Sequence, residues 1–134
     1  VTGVQTCALP IFVLLPLTPE TRGIINAKLL KGLARDGRVS APSLINAGRG
    51  GLQIESEILA CLNDGTLNEA VLDVFETEPL PPTSPLWLHP RVTITPHNAS
   101  VSDPKTISQM IADQVRRSER GEPLLYQVDQ SRGY

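Results

Sequence analysis

The stretch that most constrains this chain is Ser43-Leu44-Ile45-Asn46-Ala47-Gly48-Arg49-Gly50-Gly51, a short apolar run that ends in a glycine-flanked arginine. An apolar run bounded by turn residues and too short for a helix reads as a buried strand of a parallel sheet. In open α/β sheets, ligands sit beyond the carboxyl ends of such strands. Arg49 stands at that place, and the flanking glycines suggest room for a ligand. A guanidinium there predicts a grip on an anionic substrate.

The remaining segments fit around that strand. Residues 12–15 are an apolar strand, closed by Pro16-Leu17-Thr18-Pro19. Thr18 suits the cap of a short helical turn, with Pro19 at its first position. Asn26 restarts a helix over residues 27–33, with Leu29, Leu30 and Leu33 on one face. Residues 55–63 repeat apolar side chains at Ile58, Leu59 and Leu62, and Gly65 is the expected terminator. Cys61 falls within that helix and reads as a packing residue rather than a nucleophile. Residues 70–75 form a third strand, apolar except for Asp73, and residues 76–90 a proline-rich loop too stiff for a helix. Residues 92–95 form a fourth strand, stopped by Pro96. Ser102 or Asp103 caps the last helix, Pro104 starts it, and Ile107, Met110, Ile111 and Val115 give it a narrow apolar stripe. Such a stripe suits a helix lying on another unit. Strands alternating with helices indicate an α/β domain with a parallel sheet.

Bulk properties narrow the class. A chain of 134 residues can hold one real core but not two full domains. Its net charge of -2 gives no electrostatic reason for a nucleic-acid or anionic-membrane partner. No apolar run approaches the ~20 residues needed to span a bilayer. Cys7 and Cys61 have neither metal-ligand nor redox-motif spacing, so no metal is expected, and a thiol-reduced, cytoplasmic protein is the default reading. Residues 1–11 resemble the translation of a common sequencing adapter. They are therefore expected to stand outside the fold, with the natural chain entering near Phe12 as the tail of a longer protein.

Four polar residues fall at or near strand ends: Arg49, Asp73, Glu78 and His97. If the strands are parallel neighbours, all four converge on one sheet edge. Asp73 needs a partner, because an unpaired buried carboxylate is costly; a structural salt bridge and a ligand contact both satisfy that need. His97 taken alone suits a core or capping histidine, and Glu78 taken alone a solvated loop charge. Gly48-Arg49-Gly50-Gly51-Leu52-Gln53 begins like the dinucleotide fingerprint, but Gln53 occupies the third glycine position and Arg49 would crowd a pyrophosphate turn.

Three ordered motifs are recognisable. Asn46-Ala47-Gly48-Arg49-Gly50, Leu72-Asp73-Val74-Phe75-Glu76-Thr77-Glu78-Pro79 and Thr95-Pro96-His97 resemble the D-2-hydroxyacid dehydrogenase family. Leu80-Pro81-Pro82, Ser84-Pro85-Leu86-Trp87, His89-Pro90-Arg91 and the ending Gln127-Val128-Asp129 with Arg132-Gly133-Tyr134 resemble its branch that reduces glyoxylate and hydroxypyruvate. The resemblance covers residues 13–134. It implies the C-terminal half of a Rossmann-type nucleotide-binding domain over residues 12–100. Residues 101–134 would be a helix and tail returning to a substrate domain that, like the phosphate-binding glycine fingerprint, precedes this point in family members.

The resemblance also implies roles. Arg49 would bind the substrate carboxylate and keto oxygen. His97 would be the general acid, oriented by Glu78 and favoured in its protonated form. Asp73 would accept from the nicotinamide carboxamide, and Leu15, Pro16, Thr18, Ala47 and Gly48 would line the cofactor, NAD(P)H with NADPH favoured. The parent would be a homodimeric oxidoreductase acting on a small 2-keto acid, and the fragment alone would be inactive. A dehydrogenase for another 2-keto acid and a non-catalytic module that kept the fold are the competing readings. Gly48 stands where many relatives carry alanine, a change expected to be harmless, and the connection over residues 34–42 is longer than expected.

Overall fold

In a computed structural model of the chain, residues 10–35 and 41–129 are described. Two compact units divide it, residues 1–99 and 100–134. The first is built on a parallel sheet of β1 (Ile11–Val13), β2 (Ser43–Asn46), β3 (Glu69–Leu72) and β4 (Val92–Ile94), in that spatial order. Its register aligns the carboxyl ends. Val13 pairs with Asn46, Asn46 with Leu72, and Leu72 with Ile94. Everything just beyond that row shares one edge of the sheet.

Helices α1 (Ala27–Lys31) and α2 (Glu55–Asn63) belong to the same unit. Asn26 caps α1, its side chain accepting from Leu29 N at 3.0 Å. The N–H of Ala27 donates to the Glu57 carboxylate, which ties the two helices together. In α2 the buried face is Ile58, Cys61 and Leu62, the i, i+3, i+4 spacing of a helix on a core. Leu30, Leu44, Leu52, Ile58, Leu62, Leu72 and Leu86 are almost wholly buried, each worth about 1.5–3 kcal/mol against exposure. Burial raises the Cys61 thiol above its ordinary pKa, as befits a packing residue.

Several sequence expectations shift. The third and fourth strands end earlier than expected, at Leu72 and Ile94. Asp73 therefore stands just past its strand, where its N–H still reaches Asn46 O at 3.0 Å. The first strand runs over Ile11–Val13 instead of residues 12–15. Ile11, at the limit of the adapter-like segment, pairs with Leu44; residues 1–9, Cys7 included, lie outside the described residues, as do residues 36–40 and 130–134. The proline-rich loop contains one helical turn, Pro85–Leu88, of the tight 3₁₀ kind. Ser84 caps it by accepting from Leu86 N, and a proline at a first helical position is favourable.

The second unit holds α3 (Pro104–Glu119). Asp103 caps it through Lys105 N and Thr106 N at 3.3 and 3.1 Å, and Arg120 and Glu122 pair at its end. None of its residues is buried, and Ile107, Met110, Ile111 and Val115 are all exposed. No helix among the described residues is long and apolar enough to cross a membrane. No metal-binding cluster of His, Cys, Asp and Glu occurs among them either.

Candidate active site

The aligned strand ends fix where the polar residues emerge. Arg49 lies three residues past β2, Asp73 one past β3, and His97 three past β4. Glu78 follows Asp73 in the loop that leaves β3. The structure brings two of the four into direct contact: His97 Nδ1 lies 2.8 Å from Glu78 Oε2. With Glu78 ionised, Nδ1 carries the hydrogen and donates, leaving Nε2 as the nitrogen free for a ligand.

Glu78 is suited to that task. Its other oxygen accepts from Phe75 N at 3.0 Å, which pins the carboxylate. The hydrogen bond from His97, helped by Phe75 N–H, holds the Glu78 carboxyl below its ordinary value of 4.5 against the opposing push of partial burial. An apolar groove of about 510 Å³, with Phe75, Leu80, Trp87, Ile94 and Pro96 in its lining, opens beside the pair. It gives the pair one low-dielectric wall.

Asp73 is 4% exposed and forms no salt bridge among the described residues. Its Oδ1 accepts from the Thr95 hydroxyl and from Asn98 N at 3.0 Å, and its Oδ2 from Ala99 N at 2.9 Å. Burial alone would raise this carboxyl. The bonds from Thr95, Ala99 and Asn98, with the nearby His97, outweigh burial and hold it below the ordinary 3.8. The three donors flank His97 on both sides, so Asp73 fastens the loop that carries it. Within that loop His97 has φ 53, a left-handed conformation unusual for a residue with a side chain.

Arg49 is exposed, and among the described residues its guanidinium bonds only to the carbonyl of Gly48, at 2.8 Å. No bond joins it to Glu78 or His97. The expectation that its glycines leave room for a ligand is corrected at Gly50. A Cβ there would lie 1.7 Å from the Phe75 carbonyl oxygen, so protein backbone fills that space. Gly50 is glycine because two chain segments touch. At Gly48 a Cβ would approach Leu15 O to 3.0 Å and Leu52 Cδ1 to 2.9 Å, so alanine needs a small local shift rather than fitting freely.

Leu15, Pro16 and Thr18 follow β1 at the same sheet edge, with Leu15 and Pro16 exposed. The N–H groups of Thr18, Ala47 and Gly48 are all engaged within the protein, by Thr21 Oγ1, Val13 O and Asn46 Oδ1. Those three N–H groups are therefore not free donors for a ligand. Sequence reasoning passed over Asn46, Gln53 and Thr95 as site residues. The signal for the first two was an amide at a position flanked by apolar neighbours.

The family profile described as "D-isomer specific 2-hydroxyacid dehydrogenase, NAD binding domain" matches residues 6–99. The glyoxylate/hydroxypyruvate reductase A of Klebsiella pneumoniae subsp. pneumoniae is 50% identical over 121 residues, covering 90% of this chain and 37% of the relative. The chain thus spans little more than a third of that protein's length. Among solved structures, the NADPH-dependent glyoxylate/hydroxypyruvate reductase of Sinorhizobium meliloti, in complex with NADP and sulfate, superposes with a TM-score of 0.89 at 50% identity, over 93% of this chain and 40% of its own. A D-isomer specific 2-hydroxyacid dehydrogenase from Xanthobacter autotrophicus Py2, in complex with NADPH and MES, gives 0.83 at 48% identity, over 93% and 50%.

Proposed function

The chain belongs to the D-isomer specific 2-hydroxyacid dehydrogenase family, and from that premise we propose that its parent protein reduces glyoxylate or hydroxypyruvate to the 2-hydroxy acid. The observation that carries this reading is the His97–Glu78 pair at 2.8 Å, standing on the same sheet edge as Arg49. A histidine tied through Nδ1 to an ionised carboxylate has Nε2 available to protonate a carbonyl oxygen.

Asp73 suits a nicotinamide cofactor. Its carboxyl is held ionised, and Oδ2 carries one protein bond, which leaves acceptor capacity for an amide N–H. Leu15, Pro16, Thr18, Ala47 and Gly48 would line the neighbouring surface. NAD(P)H supplies the hydride when bound, and the NADP and NADPH complexes of similar proteins favour the phosphorylated form. Arg49 holds the substrate carboxylate and leans on the keto oxygen, which suits a planar two-pronged donor. His97 passes its Nε2 proton to that oxygen as C2 is reduced. Glu78 holds the imidazole ring in place through Nδ1.

The apolar stripe of α3 suits a return to a substrate-binding domain supplied by the rest of the parent, which we read as a cytoplasmic homodimer. The deciding experiment follows oxidation of NADPH and NADH by the purified parent with glyoxylate and with hydroxypyruvate. Turnover with both acids, faster with NADPH, is expected. No consumption of either cofactor with either acid sinks the proposal. Light scattering of the same preparation checks the dimer.

A further inference from the structure

Two buried amides lie between the Arg49 loop and the segment that carries Asp73 and Glu78. Asn46 is 0% exposed and Gln53 2%. Asn46 Oδ1 accepts from Gly48 N at 3.0 Å, and its Nδ2 donates to Gln53 Oε1 at 2.8 Å and more weakly to Arg49 O at 3.4 Å. Gln53 Nε2 donates onward to Val74 O at 2.9 Å. The two side chains thus form a line from the backbone on both sides of the Arg49 Cα to the residue that follows Asp73.

The line is braced at each end. Gln53 N donates to Gly50 O at 3.0 Å, while its neighbours Leu52 and Ile54 are bonded to Ile25 at 2.8 and 3.0 Å. Beyond Val74, Glu76 N donates to Glu55 Oε1 and Glu55 N to Glu76 Oε1, both at 2.7 Å. Amides buried this deeply are costly unless every polar atom is met, and a methionine would fill the same space without that demand. What an amide adds is direction. Among the described residues the guanidinium of Arg49 bonds only to the adjacent Gly48 carbonyl, so its aim comes from the backbone beneath it.

We propose that Gln53 is a positioning residue for Arg49. Through Asn46 and Val74 it fixes the backbone at Gly48 and Arg49 relative to the segment bearing Asp73 and Glu78, and so sets the reach of Arg49 toward an anion engaged by His97. The substrate part of this inference rests on the 2-keto acid reading above. Misplacement of a binding group by about 1 Å can cost about a hundredfold in rate.

The test is Gln53→Met in the full-length parent, assayed and crystallised beside the unsubstituted protein. The expected result is a KM for glyoxylate raised about tenfold, with the inhibition constant of oxamate, a keto-acid mimic, rising in step. The kcat should fall less than about threefold, and the KM for NADPH and the pH–rate profile should stay in place. In the crystal the backbone of residues 48–51 should be displaced from its position in the parent. A merely structural role would lower yield and kcat at an unchanged KM for glyoxylate, with the loop unmoved, and that outcome overturns the proposal. Should Gln53→Met fail to fold, Gln53→Met with Asn46→Leu removes both amides together and leaves neither side chain unpaired; the same two outcomes then decide. An unsubstituted parent that reduces no 2-keto acid refutes the functional reading instead, and the crystal comparison alone then decides the positioning claim.

Discussion

The two sides of the sheet edge are built by different means. On the β3–β4 side, side chains hold side chains and loop: Glu78 grips His97, and Asp73 gathers the donors around it. On the β2 side, the loop of Arg49 is held by Asn46, Gln53 and the close seat of Gly50 on Phe75, and the guanidinium makes one bond, to the carbonyl of Gly48. His97, the proposed proton donor, is already joined to Glu78 with no substrate present. Arg49, the proposed anion grip, stands on a fixed base with its guanidinium bonded to no side chain among the described residues. A proton donor has to keep its orientation without help, whereas a guanidinium facing a carboxylate finds its partner when the partner binds.

Substitutions in the full-length parent can break that contrast, beginning with the largest effect. His97→Ala is expected to lower kcat about a thousandfold while cofactor binding, read by fluorescence titration, is kept. Near-normal turnover would remove the acid role from the β4 side. Gly50→Ala should cost about 3 kcal/mol in denaturant unfolding, because its Cβ meets backbone that cannot step aside. An unchanged midpoint would mean the Arg49 base is softer than described. Arg49→Ala should lower kcat/KM for glyoxylate about a hundredfold, mostly through KM, with stability kept. If instead stability fell, the guanidinium would matter to the fold beyond its one bond to Gly48.

Smaller effects sharpen the contrast. Glu78→Gln should lower kcat about tenfold. It should also change acid stability, for a reason whose sign can be worked out. The folded-state pKa values of Glu78 and Asp73 are depressed, so their stabilisation is present above the ordinary 4.5 and 3.8 and is lost as pH falls through the lowered values. Unfolding midpoints measured on the acid side should therefore fall less steeply in Glu78→Gln than in the parent. Parallel curves would mean that the pair adds nothing to the fold. Gly48→Ala, finally, should cost no more than about 1 kcal/mol, since its neighbours need to yield only slightly.

Local patterns were the legible part of the fold. Helix α2 runs over Glu55–Asn63 as its apolar spacing and Gly65 suggested, and α3 begins at Pro104 behind its Asp103 cap. Strand ends were less legible because burial outlasts the ladder. Val74 and Phe75 are buried but lie past β3, so an apolar run overstates the strand. The turn at Pro85–Leu88 had its signal in Ser84-Pro85, which a proline count hid. The motifs pointed to His97 and Glu78 together, and the structure joins them. The partners of Asp73 were beyond reach, since two of the three are backbone N–H groups more than twenty residues along the chain. A backbone donor leaves no mark on a sequence.

The left-handed backbone at His97 has a consequence for mutational scanning. Glycine, asparagine and aspartate adopt that conformation readily, while β-branched residues are driven out of it. Asparagine at this position should give normal cellular abundance with no turnover, and valine should reduce abundance itself. A scan that scores only growth would rank the two alike. One that scores abundance and activity separately would pull them apart, and would tell how much of the intolerance at position 97 belongs to the imidazole and how much to the bend beneath it.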